Sequence, residues 1–255
     1  MVEVQAHRGF AGQYPENTVA AVRAAVADGA DAVEVDVAPS ADGDPVVFHD
    51  ARLDDRDGGR GITDGRGRVW EVTTDDLAGL SVLDTGDGVP TLSETCRAVP
   101  PTVTLNVELK HAGPPASGSG SEAWREFVER VAGVLADADC EALFSSFSDG
   151  ALAAARAVAP DVPRAVLYGG HSRDAVERAR RHEAAALHPP VSAVAGTRYF
   201  DPETHGDADV VAVAADEGWD VNAWTVRTWH EADRLRAAGV DGLVADYPGL
   251  LDGPT

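Results

Sequence analysis

V-E-V-Q-A-H-R-G-F-A-G-Q-Y-P-E-N-T-V-A-A-V-R-A-A-V-A-D-G-A-D-A-V-E-V-D-V (residues 2–37) holds a complete strand–helix–strand unit. The run 2–7 is strand-like and stops at His7-Arg8-Gly9; an Ala-rich helical stretch at 17–29 follows, and 32–38 returns to an alternating apolar run. Gly29 stands where the helix must end, a position that favours positive φ, and Asn17 is the expected N-cap. Two strands separated by one helix of this length read as parallel neighbours.

The same rhythm continues outward through the chain. Further strands are expected at 103–109, 141–147, 164–168, 185–188, 220–226 and 242–246. Further helices are expected at 92–99, 122–138, 149–158, 173–183, 208–218 and 228–239. Ser148-Asp149 and Thr228 sit at N-cap positions, and Gly218 and Gly239 at C-terminal ones. Eight βα units in 255 residues predict an α/β fold of the (β/α)8 TIM barrel type, a single domain over 1–255. An open doubly wound sheet is the alternative, but no G-x-G-x-x-G follows the first strand. Residues 39–91, rich in Gly, Asp and Arg, interrupt the rhythm as a long excursion. Segments of this length in compact domains are functional or carry their own small structure. A second low-complexity loop, 113–121, is expected on the same side.

The formal net charge is −22, and the positive charge is supplied by arginine except for one lysine, Lys110. Nucleic acid is excluded as a partner, because neutralising phosphates requires clustered cations. The acidic surface instead suits a salty, halophilic cytoplasm, where counterions screen self-repulsion. The N-terminus carries no leader pattern and the longest apolar runs are too short to span a bilayer, so a cytoplasmic location without stable membrane insertion is expected. The two cysteines, Cys96 and Cys140, are too few for a zinc knuckle and are read as small buried apolar residues.

In such barrels function sits at the C-terminal ends of the strands. There the chain places His7-Arg8, then Glu34 and Asp36 two apart, then Glu108 and Lys110 two apart, then Asn222 and Trp224. Side chains two apart on a strand share a face. Glu34, Asp36 and Glu108 therefore converge on one mouth, and hard oxygen ligands of this kind suit Mg²⁺ or Ca²⁺. Plain salt bridges from Glu34 to Arg8 and from Glu108 to Lys110 would explain one such doublet; two on neighbouring strands beside His-Arg favour a cation. Arg8 and Lys110 could hold a phosphate, the one as a fork and the other as a point charge. His7 at the mouth and His49 on the excursion, oriented by Asp50, read as a base and an acid on opposite sides of a phosphorus. His111, His171, His182, His205 and His230 are read as surface residues, and His188 is left open.

The motifs H-R-G-x5-P-E-N-T, G-A-D-A-V-E-V-D-V, D-G-D-P-V-V-F-H-D, N-V-E-L-K, N-A-W-T-V and G-V-D-G-L-V-A-D-Y-P together resemble the glycerophosphodiester phosphodiesterase family, in order from first strand to last. The resemblance implies a (β/α)8 barrel of lipid and glycerol metabolism that hydrolyses glycerophosphodiesters to glycerol phosphate and an alcohol. It implies a divalent metal ion on Glu34, Asp36 and Glu108 and a catalytic pair of His7 and His49. It implies substrate-binding roles for Arg8, Lys110 and Trp224, and a short insertion over about 51–91. In that family the glycerol hydroxyl beside the ester is thought to attack phosphorus, giving a cyclic phosphate that water opens. Glu16 or Asn17 would tie the metal carboxylates from behind. The stretch 189–205 departs from the family pattern and is expected to shape the side of the leaving alcohol. Rival readings are a lysophospholipid phosphodiesterase on the same scaffold, a non-catalytic barrel that binds a phosphate metabolite, and a metal-dependent sugar isomerase barrel. The oligomeric state is left open.

Overall fold

A computed structural model describes residues 2–114, 120–138 and 140–251. The loop expected at 113–121 lies partly outside the described residues. The strands are β1 (Glu3–His7), β2 (Ala32–Pro39), β3 (Pro45–Val47), β4 (Thr104–Leu109), β5 (Ala142–Ser146), β6 (Arg164–Leu167), β7 (Ala186–His188), β8 (Asp220–Val226) and β9 (Gly242–Ala245). The helices are α1 (Val19–Ala27), α2 (Thr74–Ala78), α3 (Leu92–Cys96), α4 (Ser121–Ala138), α5 (Asp149–Val158), α6 (Ser172–His182), α7 (Pro202–His205), α8 (Val210–Glu217) and α9 (Trp229–Ala238).

Eight of the strands are parallel neighbours in the order β1-β9-β8-β7-β6-β5-β4-β2, and β1 pairs with β2 to close the barrel. This is the (β/α)8 barrel expected from the alternation of strand and helix. The ninth strand, β3, runs antiparallel to β2, with Val37 opposite Val47.

Period-two alternation divides β2 between two environments. Val33, Val35 and Val37 belong to the apolar layer that the helices cover, together with Val107, Leu109, Phe127 and Val131. Glu34 and Asp36 share the opposite face, and along the ladders Glu34 stands level with His7 and Asn106, Asp36 level with Glu108. The other buried polar groups of the strands include Gln5, Ser145, His188 and Asn222. Asn106 donates to Gln5 Oε1 (3.2 Å) and Asn222 to His188 Nε2 (3.1 Å), so part of this polarity is satisfied locally.

The excursion after β2 has its own small core of Ala38, Val46, Phe48, Leu53, Val69, Leu77, Val82 and Val89. It is pinned to the barrel where the Phe48 amide donates to the Asp36 carbonyl (2.9 Å), and it closes on itself where the Val47 amide donates to the Pro90 carbonyl (2.8 Å). The helix ends follow the expected chemistry at Ser148, Thr228, Gly218 and Gly239. The N-cap of α1 is Thr18, not Asn17: the Thr18 hydroxyl accepts from Ala21 N (3.1 Å), which leaves the Asn17 side chain for another partner. His182 and His205 are buried rather than superficial, because each joins neighbouring elements. His182 Nε2 lies 3.1 Å from Asp149 on α5, and His205 bonds Ser192 (2.8 Å) and the Gly170 carbonyl (2.8 Å). Cys96 is buried and Cys140 half-buried, with their sulfurs 3.8 Å apart. No helix among the described residues is long and apolar enough to cross a membrane.

Candidate active site

The site begins with the turn after β1. Arg8, Gly9 and Phe10 all have positive φ (51°, 77° and 64°), which folds the chain back tightly against α1. A Cβ on Gly9 would lie 2.8 Å from Ala21 Cβ, so the approach requires glycine. The turn presents the Arg8 amide to Glu34 Oε2 (3.0 Å). The Arg8 guanidinium goes elsewhere: Nη1 donates to Glu16 Oε1 (3.0 Å), and Nε stands 3.0 Å from Asp36 Oδ2. Asn17, also at positive φ (58°), grips Asp36 from both sides. Its amide nitrogen donates to Asp36 Oδ2 (2.9 Å), and its oxygen accepts from the Asp36 amide (3.3 Å). Of the two residues expected to tie the carboxylates, Asn17 contacts Asp36 directly, and Glu16 reaches it only through Arg8.

Glu34, Asp36 and Glu108 each offer an oxygen within 4.8 Å of the others, and all three are buried. Lys110 Nζ donates to Glu108 Oε1 (2.7 Å) and stands 3.5 Å from Asp36 Oδ1. Salt bridges alone do not account for the cluster. Among the described residues, Glu34 Oε1 and Asp36 Oδ1 are buried without a hydrogen bond, and Glu34 has no guanidinium or ammonium of its own. Burial, then the neighbouring carboxylates, push Glu34 well above the usual carboxylate range; burial and Asp36 likewise raise Glu108. Burial acts on Asp36 in the same direction, but Arg8, then Lys110, overcome it and hold Asp36 below that range. A divalent cation fits this donor set. It would occupy the unsatisfied oxygens and relieve the repulsion that opposes ionisation of Glu34 and Glu108.

Beside the acids, two histidines are built alike. His7 Nδ1 lies 2.6 Å from Asp246 Oδ1, and His49 Nδ1 lies 2.6 Å from Asp50 Oδ1. Both aspartates are ionised. Although burial raises each, hydrogen bonds from His49 and Arg60 bring Asp50 down to about 2, and those from His7 and Arg227 hold Asp246 low. An ionised carboxylate only accepts, so each Nδ1 donates, and in the neutral ring each Nε2 is left as an acceptor. Burial pushes His7 below its ordinary value against the opposing Asp246 bond, which keeps that ring neutral near pH 7.

These groups line one cavity of about 430 Å³ at the C-terminal rim. His7, Arg8, Glu34, His49, Glu108, Lys110 and Trp224 all border it, while Asp36 lies beneath. Trp224 presents its ring edge-on to Phe147 (5.5 Å between centroids, 88° between planes), its indole N–H being committed to the His188 carbonyl (2.7 Å). His188, left open by the sequence, is a buried residue in the wall of the same cavity, and burial lowers it to about 3. The stretch 189–205 does not line the cavity as expected. It supports Trp224 from behind, the Trp224 amide donating to the Pro189 carbonyl (2.9 Å). Asp246, Arg60 and Arg227 border the cavity too. Asp246 follows the last strand inside the G-V-D-G-L-V-A-D-Y-P motif, whereas Arg60 and Arg227 lie in stretches with no periodic signal.

The arrangement offers two acid–base groups, fixed positive charge and a nest of hard ligands around a space the size of a small diester. Comparison with known proteins points the same way. Over 97% of its length the chain is 30% identical to a glycerophosphodiester phosphodiesterase of Caldanaerobacter subterraneus subsp. tengcongensis, 95% of which is covered. A phosphodiesterase of Oleispira antarctica, solved in complex with the product sn-glycerol-3-phosphate, superposes with a TM-score of 0.81. It has 30% identity, over 98% of this chain and 97% of that one. The Thermotoga maritima glycerophosphodiester phosphodiesterase matches with a TM-score of 0.74 and 25% identity, over 99% and 97% of the two chains. Residues 7–250 match the model of the glycerophosphoryl diester phosphodiesterase family, and with the site and the barrel already described the chain belongs to that family of phosphoric diester hydrolases.

Proposed function

We propose that this enzyme hydrolyses glycerophosphodiesters to glycerol phosphate and an alcohol with a divalent ion, Mg²⁺ or Ca²⁺, held by Glu34, Asp36 and Glu108. The observation that carries the reading is the convergence, on one cavity, of three buried carboxylates within 4.8 Å and two histidines each backed by an ionised aspartate. When bound, the ion supplies Lewis-acid stabilisation of charge building on the phosphoryl oxygens.

The chain's own residues do the rest. Arg8 and Lys110 add fixed positive charge beside the phosphate, and their carboxylate partners hold them in place before substrate arrives. The Nε2 atoms of His7 and His49 exchange protons with oxygens on phosphorus. One ring, neutral, takes the proton of the attacking glycerol hydroxyl while the other, protonated, gives one to the departing alcohol; with the roles exchanged, the rings then take a proton from water and return one to the glycerol oxygen as the water opens the cyclic phosphate to glycerol phosphate. Asp246 and Asp50 hold the rings in the productive tautomer and stabilise each when charged. The Trp224 ring walls the side where the apolar edge of the glycerol rests. Substrate is a small molecule drawn from solution.

The test is turnover of a panel of glycerophosphodiesters, with and without a chelator, in low and molar salt. Release of glycerol phosphate that stops with chelator and returns on adding Mg²⁺ or Ca²⁺ supports the reading. Undiminished turnover in chelator removes the metal from it, and no turnover of any diester removes the activity.

A further inference from the structure

Arg60 belongs to the excursion after β2, and nothing in its local sequence marks it. In the folded chain it borders the catalytic cavity and is bound to two carboxylates at once. Nη1 and Nη2 donate to the two oxygens of Glu16 (2.7 and 2.6 Å), a bidentate fork. Nε donates to Asp50 (3.0 and 3.1 Å to its two oxygens), and the Arg60 backbone N–H donates to Asp50 Oδ2 (3.2 Å).

What these partners do gives the contact its meaning. Asp50 accepts from His49 Nδ1 at 2.6 Å. Glu16 accepts from Arg8 at 3.0 Å, and Arg8 stands on Asp36 at 3.0 Å. A continuous chain of charged contacts therefore runs His49–Asp50–Arg60–Glu16–Arg8–Asp36. Arg60 is the link within it that joins the imidazole and carboxylate of the excursion to the groups carried by the barrel and its first turn. His49 lies outside the barrel strands, on the stretch that follows β3. Its position over the cavity depends on whatever fixes that stretch to the barrel. The Phe48 amide fixes the backbone on one side, and Arg60 fixes Asp50 on the other. An arginine suits the task where a lysine does not: its planar fork and its Nε reach two carboxylates in different directions, whereas an ammonium is a point charge on a flexible stem.

We propose that Arg60 is a positioning residue, which clamps Asp50 to the Glu16–Arg8 pair and so holds the His49 imidazole in register with the carboxylate cluster. The proposal rests on the reading of His49 as a proton-transfer group. It assigns Arg60 no contact with substrate, because its Nε and both terminal nitrogens already donate to protein carboxylates.

The test is steady-state kinetics of R60Q, R60K and R60A, each made also in an H49A background, with thermal melts of every variant. R60Q is expected to lower kcat by about 10- to 100-fold, the range for groups that orient catalytic residues, with KM changed by less than about threefold. R60K should recover only part of the loss, and millimolar guanidinium should restore part of the turnover of R60A but none of that of H49A. In the H49A background the same change at position 60 should cost little further, since the group it positions is gone. Equal losses in both backgrounds, a rise in KM at constant kcat, or R60Q turnover within twofold of the unsubstituted enzyme would each overturn the proposal. A drop in melting temperature that accounts for the activity loss, without guanidinium rescue, would overturn it as well. The reading of His49 fails separately, if H49A alone turns over normally.

Discussion

His49 and His188 show how differently one residue type is used in this molecule. The His49 ring borders the cavity with Nδ1 tied to an ionised carboxylate, so Nε2 is available for proton transfer. His49→Ala should lower kcat by roughly two to four orders of magnitude, the usual worth of general acid–base help, and near-normal turnover would remove His49 from the mechanism. His188 is buried in the cavity wall, and its Nε2 accepts from Asn222 at 3.1 Å. Burial lowers it to about 3, while the unfolded chain binds its proton at about 6.5. Between those values the unfolded state holds more protons than the folded one. The stabilisation is therefore complete above about pH 6.5 and is lost as pH falls toward 3, by up to about 1.4 kcal/mol per unit. Denaturant melts of H188Q should fall less steeply than those of the parent between pH 6.5 and 4. Parallel curves would mean that His188 carries no such linkage. Sequence spacing could place Glu34, Asp36, Glu108 and His7 at one rim, because alternation on strands and the rule for barrel mouths suffice, whereas His49 was read there from its place on the excursion just after the second strand, beside Asp50. It could not show Arg60 reaching Glu16 from 44 positions away, since that contact depends on how an aperiodic segment folds.

The turn between β1 and α1 carries Arg8, Glu16 and Asn17 into the site, and its geometry depends on Gly9. At φ 77°, with 2.8 Å between an added Cβ and Ala21, any side chain must push α1 away or open the turn. Gly9→Ala should destabilise by about 1–3 kcal/mol, the range for overpacking and for strained backbone, and should lower activity through displacement of Arg8. A melting temperature and kcat both equal to those of the parent would show that the turn relaxes without loss. The eight barrel strands were legible because they are short apolar runs, most of them followed by a helical period with cap residues at its ends. The elements that escaped are β3, at three residues, and the short helices α2 and α7, at five and four. Segments this short hold too few turns or alternations to show a period. Asn17 failed as a cap for a different reason. Asn and Thr are both good N-caps, and which one serves was decided by a tertiary bond, Asn17 to Asp36, that local sequence does not encode.

Across the whole molecule the dominant quantity is a net charge of −22, with the cations largely spent on local pairs such as Arg178 with Asp149 and Arg180 with Glu217. Uncompensated carboxylates repel one another through solvent, and that repulsion opposes the compact state. Its range is set by salt: about 10 Å at 0.1 M and about 3 Å at 1 M. Moving from dilute buffer to molar KCl therefore removes most repulsion between surface charges but leaves close buried contacts, such as Lys110 to Glu108, almost unscreened. The melting temperature should climb steeply between about 0.05 and 1 M KCl and then flatten. A divalent ion should add a separate increment at constant ionic strength, growing with its concentration over its dissociation constant and reaching about 2.7 kcal/mol at a hundredfold excess. The two effects part in the variant E34Q, which should keep the KCl dependence and lose much of the divalent increment, because surface charge is nearly unchanged while the buried cluster has lost a ligand. A parent protein as stable in dilute buffer as in molar KCl would show that its acidic surface imposes no folding cost. An undiminished divalent increment in E34Q would place the ion elsewhere than on Glu34, Asp36 and Glu108.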